Sequence, residues 1–361
     1  MPFNTEQLAY AGNAAINYFL KNTPIDQINT ARPLIDLLMK TKKQYAGGLQ
    51  YVVEQLRYSN DSNFQSYFGD GQVTYNRKRT LQQAKYTWGS FHDGFGLNED
   101  ELTQNGIVMT DDKSSVPSDS EKVQLSNLLE ENTETLKLGF EENFDIMLHR
   151  NGTQSATDIP GLDNLISTTP QVSSVVGGLD QSIYTWWQNW AFTGINGATT
   201  SNTLVQSMEQ MWRQTTRYGG SPPDFILVGD QFLDAYRANA TLQVNRFITA
   251  GGLQREGVTV DAGTGKNGSG VTTGIFFKGV ELIWDPVFNT MDTLDSPSIP
   301  WSKRCYFINK KHLSLRPITG HWMISRRPPR VYDRYVHYWA LTSKAALTTG
   351  KRNAHAVLSI A

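Results

Sequence analysis

Across 361 residues the chain carries 19% charged and 11% aromatic side chains and a formal net charge of −1. A near-neutral molecule gives no global signal for nucleic acid or membrane. The lone Cys305 excludes an intramolecular disulfide framework and any cysteine-built zinc site. The length allows two sizeable cores, or one core with long extensions, and a composition with 15 Tyr and 9 Trp favours burial against partners.

The first residues, MPFNTEQLAYAGNAAINYFLKNTP, lack the cationic start and apolar run of a signal peptide. No stretch approaches the ~18 consecutive apolar residues of a membrane-spanning helix. Folding in a reducing cytoplasm is therefore expected. Residues 1–45 mix short helical patterns with turns at Thr23-Pro24 and Arg32-Pro33, and their one apolar patch, Leu34, Ile35, Leu37 and Leu38, is too small for a core. They are expected to form an arm lying on something else.

Tyr51–Tyr58 is β-branched and aromatic, which predicts a strand. A polar stretch from Ser59 to Arg79 follows, with turn signals at Asn60-Asp61 and Gly69-Asp70-Gly71, and a second strand is predicted over roughly Gln83 to Leu97. Two strands around a tip of about twenty residues make an extended hairpin, marginal in isolation and expected to rest on a neighbour.

After a linker at 111–117, Ser118-Asp119-Ser120-Glu121 has the form of a capping box. Apolar residues then recur at helical spacing through Leu125, Leu128, Leu129, Leu136, Phe140, Phe144, Met147 and Leu148, ending at Arg150-Asn151-Gly152. The predicted helix has about thirty residues, or ~45 Å at 1.5 Å each. Its other face is acidic: Glu130, Glu131, Glu134, Glu141, Glu142 and Asp145 are expected to be exposed.

A second amphipathic helix is predicted over Thr203–Tyr218, stopped by Gly219-Gly220-Ser221-Pro222-Pro223. Asp224–Val228 predicts a buried strand, followed by a helix through Phe232, Leu233 and Tyr236; together these suggest a compact α/β layer. Residues 251–273, rich in Gly and Thr, predict a surface loop, and strands resume at Gly274–Phe277, Val280–Trp284 and Arg304–Ile308. From Lys303 onward twelve Lys and Arg face one acid, Asp333, so the overall neutrality hides a segregation of charge. These basic strands could face DNA, or could bridge to neighbouring subunits.

Three segments carry a resemblance. Gly161-Leu162-Asp163-Asn164-Leu165-Ile166, Gly177-Gly178-Leu179-Asp180 leading to Tyr184-Thr185-Trp186-Trp187-Gln188-Asn189, and Pro223–Val228 before a helix ending in Tyr236 resemble the major capsid proteins of tailed bacteriophages. The order of predicted elements is similar to that family too. The resemblance implies an α+β subunit of the Hong Kong 97-type fold. Residues 1–45 would be its N-terminal arm and 46–100 its extended loop. Residues 111–160 and 318–361 would form a peripheral domain, whose spine helix is about 118–150, and 161–317 an axial domain. It also implies a shell of hexamers and pentamers in the virion, assembled in the host cytoplasm around double-stranded DNA. Portal and scaffolding proteins would be partners, with a decoration protein as a further one; no membrane, metal, cofactor or catalytic residue is implied. The arm lacks the long charged scaffolding segment of many members, so scaffolding would be a separate protein or already trimmed. Nothing in the sequence points to lysine–asparagine cross-links.

In a shell, the basic hairpin residues Arg57, Arg77, Lys78 and Arg79 are expected to meet the acidic helix residues Glu130, Glu131, Glu134, Glu141 and Glu142 of another copy. Other signals fail as chemistry. Gly263–Gly268 departs from a phosphate loop, with Val260 at the first glycine position and Asn267 after the lysine. The six histidines show no metal-ligand spacing, Cys305 sits in a strand pattern, and Glu99, Asp100 and Glu101 are expected in a turn. Two rival readings remain: an encapsulin-type compartment with the same fold, and a carbohydrate-binding β-rich protein using Trp186, Trp187 and Trp190.

Overall fold

The computed structural model describes residues 30–104, 119–197, 203–238, 272–294, 298–329 and 336–361. Ser118 of the predicted capping box, the side chains of its other three residues, the 111–117 linker, the Gly263–Gly268 stretch and most of the predicted arm lie outside the described residues. In chain order the elements are α1 (Pro33–Lys40), β1 (Val52–Arg57), β2 (Leu81–Tyr86), β3 (Gly89–Asn98), α2 (Glu99–Gln104), α3 (Asp119–His149), α4 (Leu162–Leu165), β4 (Val175–Val176), β5 (Leu179–Asp180) and β6 (Trp190–Ile195). They continue with α5 (Leu204–Gly219), β7 (Phe225–Val228), α6 (230–238), β8 (Thr272–Phe277), β9 (Val280–Trp284), α7 (Val287–Met291), β10 (Arg304–Ile308), β11 (Leu313–Pro317), β12 (Ile324–Arg326), β13 (Val336–Thr349) and β14 (Ala356–Ile360).

Two compact units result, one from Ser90–Phe144 with Thr319–Lys344, the other from Ala31–Gly89, Asp145–Ile318 and Ala345–Ala361. The larger unit is built on a six-stranded mixed sheet of order β6-β14-β10-β7-β9-β8. β6–β14 and β7–β9 are parallel pairs, and the others antiparallel. β7 and β10 are buried at every position, as continuous apolar runs in a sheet centre should be. Leu204, Met208, Met211 and Trp212 of α5 and Phe232, Leu233 and Tyr236 of α6 pack into one core with Ile226, Val228, Cys305 and Phe307. This is the predicted α/β layer. α5 ends at Gly220, whose left-handed φ of 75° suits a residue without a Cβ.

The predicted long helix is present as 31 residues with Phe140, Phe144 and Leu148 buried along its stripe. The predicted strand Gln83–Leu97 is two strands: β2 pairs with β1 in register Val52↔Tyr86 to Arg57↔Leu81, whereas β3 pairs with β13. Gly94 fits against β13 because a Cβ there would meet the Trp339 carbonyl at 2.7 Å. Partner choice, not propensity, breaks the strand. Glu99 and Asp100 lie on the helix α2 instead of the expected turn.

Candidate functional site

The hairpin β1–β2 is fastened at its root and exposed at its tip. Glu54 pairs with Arg316 of β11, the Tyr86 hydroxyl donates to the Thr349 carbonyl at 2.8 Å, and the Lys85 amide donates to Gly177 O at 2.8 Å. The root therefore rests on its own unit, where the sequence led us to expect a neighbour. Beyond it, the Asn63 amide donates to Asn76 O at 2.9 Å and the Gln65 amide to Thr74 O at 3.2 Å, bracing the two sides of the tip. The stretch expected to be polar instead holds four aromatic rings in solvent: Phe64 is 93% exposed, Tyr67 71%, Phe68 98% and Tyr75 89%. Isolated exposed apolar residues are ordinary, but a cluster on one loop marks an interaction surface. Their letters were legible; interleaved Asn, Ser and Gln masked them.

Arg57, Arg77 and Arg79 are exposed at or beyond the end of β1, and Lys78 is paired with Asp61 of the same tip at 3.2 Å. On α3, Glu130, Glu134 and Glu142 are exposed and Glu131 and Glu141 half-buried. At 100° per residue, Glu130, Glu134 and Glu141 form one row and Glu131 and Glu142 the next. Asp145, expected on this face, is fully buried. Its place is set by His149, one turn on, and by Asp285.

His149 donates from Nδ1 to the Asp145 carbonyl at 2.8 Å and from Nε2 to Asp285 Oδ2 at 3.0 Å, under Phe288 and Trp301. Two acceptors on two ring nitrogens require an imidazolium. Burial opposes that charge, but Asp145 and Asp285 override it and raise the histidine to about 9. Burial also pushes the Asp145 carboxyl up to about 7, against the pull of His149 and Arg32. Both groups hold protons more tightly folded than unfolded, in different windows: the share from Asp145 is lost as pH rises from about 4 through 7, and the share from His149 as pH rises from 6.5 through 9. The stability of the unassembled chain to unfolding should therefore fall between pH 6.5 and 9.5, by up to about 3 kcal/mol at 1.4 kcal/mol per pH unit. His149→Gln should flatten that slope; an equally steep profile in the variant would reject the assignment.

Two buried arginines hold together two of the three segments that carried the resemblance. Arg352 donates from Nε to Leu165 O at 2.7 Å, from Nη1 to Trp187 O at 3.2 Å, and from Nη2 to Gln181 Oε1 and Asn189 Oδ1, both at 3.0 Å. Arg304 donates to Asp163 Oδ1 at 2.7 Å and the Tyr306 hydroxyl at 3.0 Å, lying 4.5 Å over Trp301. Gly161 leaves no room for a Cβ beneath the Leu148 and Arg150 carbonyls. These segments build a rigid wall, and their role is architectural. Trp187 is buried with its Nε1 donating to Val176 O at 2.9 Å, while Trp186 stacks on Tyr58 and Trp190 on Tyr218. All three are thus buried or half-buried and engaged with neighbouring rings or backbone, which speaks against a sugar platform.

Among the described residues, the remaining reactive groups form no comparable arrangement. Cys305 is buried and its thiol is pushed well up by burial. His355 is fully buried, and burial drives it down to about 3, so it stays neutral, accepting the Asn309 amide at Nδ1. A cavity of ≈ 230 Å³ in the smaller unit is lined by Ser90, His92, His321, Arg326, Ser343 and Lys344, among others, without a carboxylate or thiol. Among the described residues no group of three His, Cys, Asp or Glu could hold a metal, and no helix is long and apolar enough to cross a membrane.

No family model and no curated protein matches the sequence. Solved structures do match the fold. The capsid asymmetric unit of cyanophage A-1(L) aligns at TM-score 0.59 and 12% identity over 94% of this chain and 96% of that one. The capsid of Myoviridae phage XM1 gives 0.53 and 12% over 95% and 97%. An encapsulin complex from Synechococcus elongatus gives 0.50 and 13% over 95% and 94%.

Proposed function

We propose, from a chain that has the α+β fold of tailed-phage capsid subunits over nearly its whole length, that this protein is a major capsid protein. Copies associate as hexamers and pentamers into an icosahedral shell around double-stranded DNA, and the protein has no catalytic role. The observation that carries this is the hairpin: a root locked by Glu54–Arg316 and Tyr86–Thr349 holds a braced tip whose aromatic rings touch solvent. A monomer gains nothing from such a projection; a subunit that must cover its neighbour does. On this reading the hairpin is the extended loop, α3 the spine helix and the six-stranded sheet the axial domain; β3, expected in the extended loop, would join β12 and the first part of β13 in the peripheral domain, and β14, expected in the peripheral domain, would belong to the axial sheet. Its tip arginines would dock on the glutamate rows of α3 in another copy, with charge fixing register. Portal, scaffolding and decoration proteins are partners this reading requires or accommodates.

The encapsulin reading shares the fold and is separated by contents. Electron microscopy of the full-length chain, expressed alone and beside phage head genes, should show closed shells, and shells from phage-infected cells should hold DNA. Particles loaded with a cargo enzyme would favour the compartment, and a chain that stays monomeric in both settings would overturn both readings.

A further inference from the structure

Three chain segments bring lysines together beside β11. Residues 43–45 run alongside it, with the Lys43 amide donating to Leu315 O and the Tyr45 amide to Pro317 O, both at 2.9 Å. On the other side β13 pairs antiparallel with β11 and ends at Thr349, opposite Leu313. Lys311-His312 and Gly350-Lys351 thus face each other across that ladder end, where the Gly350 amide donates to His312 O at 3.1 Å. Adjacent strands are ~4.8 Å apart, so the Lys311 and Lys351 stems start close, with Lys43 across β11 beside Leu315. Lys43 and Lys311 are exposed, and Lys351 and His312 half-buried. Burial lowers the His312 pKa, and Lys351, Lys311 and Lys43 lower it further, which places all three ammonium groups within electrostatic reach of one ring. Lys310 is otherwise engaged: its ammonium lies 5.5 Å over Phe225, and its amide donates to Asp224 at 2.8 Å.

We infer that Lys43, Lys311 and Lys351 form a docking surface for the phosphate backbone of duplex DNA. The inference rests on the shell reading, and names the part of the subunit that touches the contents. The contrast with the hairpin decides the partner. Protein interfaces are enriched in aromatics and arginine and depleted in lysine, and the tip, with Phe64, Phe68, Arg77 and Arg79, fits that description. The lysine cluster has the opposite character: compact, mobile point charges without a bidentate fork suit phosphates in any sequence or register. Three such contacts hold weakly per subunit. DNA can slide over them, while many copies together neutralise the packed duplex.

Each lysine–phosphate contact contributes about −0.9 to the slope of log K against log salt. The test is fluorescence anisotropy of labelled duplexes of two unrelated sequences with the unassembled full-length chain across a salt series. A peptide spanning residues 119–149, the acidic helix, serves as a protein polyanion. The inference expects equal binding of both duplexes and a slope smaller by about 2.7 in the K43Q/K311Q/K351Q variant. Lys→Arg at the same positions should restore binding, and thermal unfolding should stay unchanged in both variants. An unchanged slope, or lysine-dependent binding of the helix peptide in place of DNA, overturns it. Microscopy of the same variant keeps the two readings apart. Shells with wild-type DNA binding would remove this inference alone; lysine-dependent DNA binding by a chain that never forms shells would remove the shell reading and leave the docking surface.

Discussion

Arg352→Met should lower the stability of the unassembled chain by more than about 3 kcal/mol, measured by urea denaturation or thermal unfolding. The guanidinium is fully buried, and four acceptors at 2.7–3.2 Å come from Leu165, Trp187, Gln181 and Asn189, with Asn164 O at 3.4 Å as a fifth. Removing it strands these oxygens, and an unsatisfied buried polar group costs about 1–3 kcal/mol. Relaxation and water entry recover part of that sum, which sets the lower figure. Burial drives the Arg352 pKa down to about 10, so the cation persists at neutral pH with neutral oxygens as its partners. Arg352→Lys keeps the charge but loses the planar fork, and three tetrahedral donors cannot reach oxygens on both sides of the loop. It should fall between wild type and Arg352→Met, and proteolysis in both variants should begin within residues 161–190. A methionine variant within 1 kcal/mol of wild type would show that the loop holds itself.

The second large effect concerns assembly and leaves the fold alone. Reversing Arg77 and Arg79 to glutamate, or changing Phe64 and Phe68 to serine, should abolish shells in microscopy and sedimentation. Surface changes of this kind alter stability by about 0.5 kcal/mol or less. A buried interface aromatic that acts as an anchor is worth about 2 kcal/mol or more. Losing two therefore weakens each contact by about a thousandfold at 1.4 kcal/mol per decade. Lys78 already pairs with Asp61, so Lys78→Glu alone should do less than Arg77→Glu. Adding Glu130→Lys and Glu134→Lys to the Arg77/Arg79 reversal should recover shells if α3 is the docking face. Recovery failing while the aromatic variant still blocks assembly would move the partner surface elsewhere.

Local pattern carried much of the architecture and little of its wiring. α3, α5 and β7 follow from apolar spacing alone, because each buries one stripe or a continuous run. The division of the predicted Gln83–Leu97 strand did not follow, since β2 and β3 differ only in which distant strand each one joins. Asp145 looked like one more glutamate-row acid because Asp285, which shares His149 with it, lies 140 positions on, while His149 itself, at helical spacing, was within sight. Arg352 was counted among the basic residues of the C-terminal stretch, yet its side chain sits in a cage of neutral oxygens. Of the proposed contact residues, Arg57, Arg77, Arg79, Glu130, Glu134 and Glu142 are exposed; the aromatic rings of the tip were missed because hydropathy averages over polar neighbours.

Consider finally the crossed amides of Asn63 and Gln65, which tie the two halves of the tip before any other copy arrives. A projection shaped in advance forfeits little freedom on landing. If the chain builds a shell, each incoming copy can then seat without first ordering its own projection, so the contact energy goes into holding the subunit and every copy presents the same outline to the next.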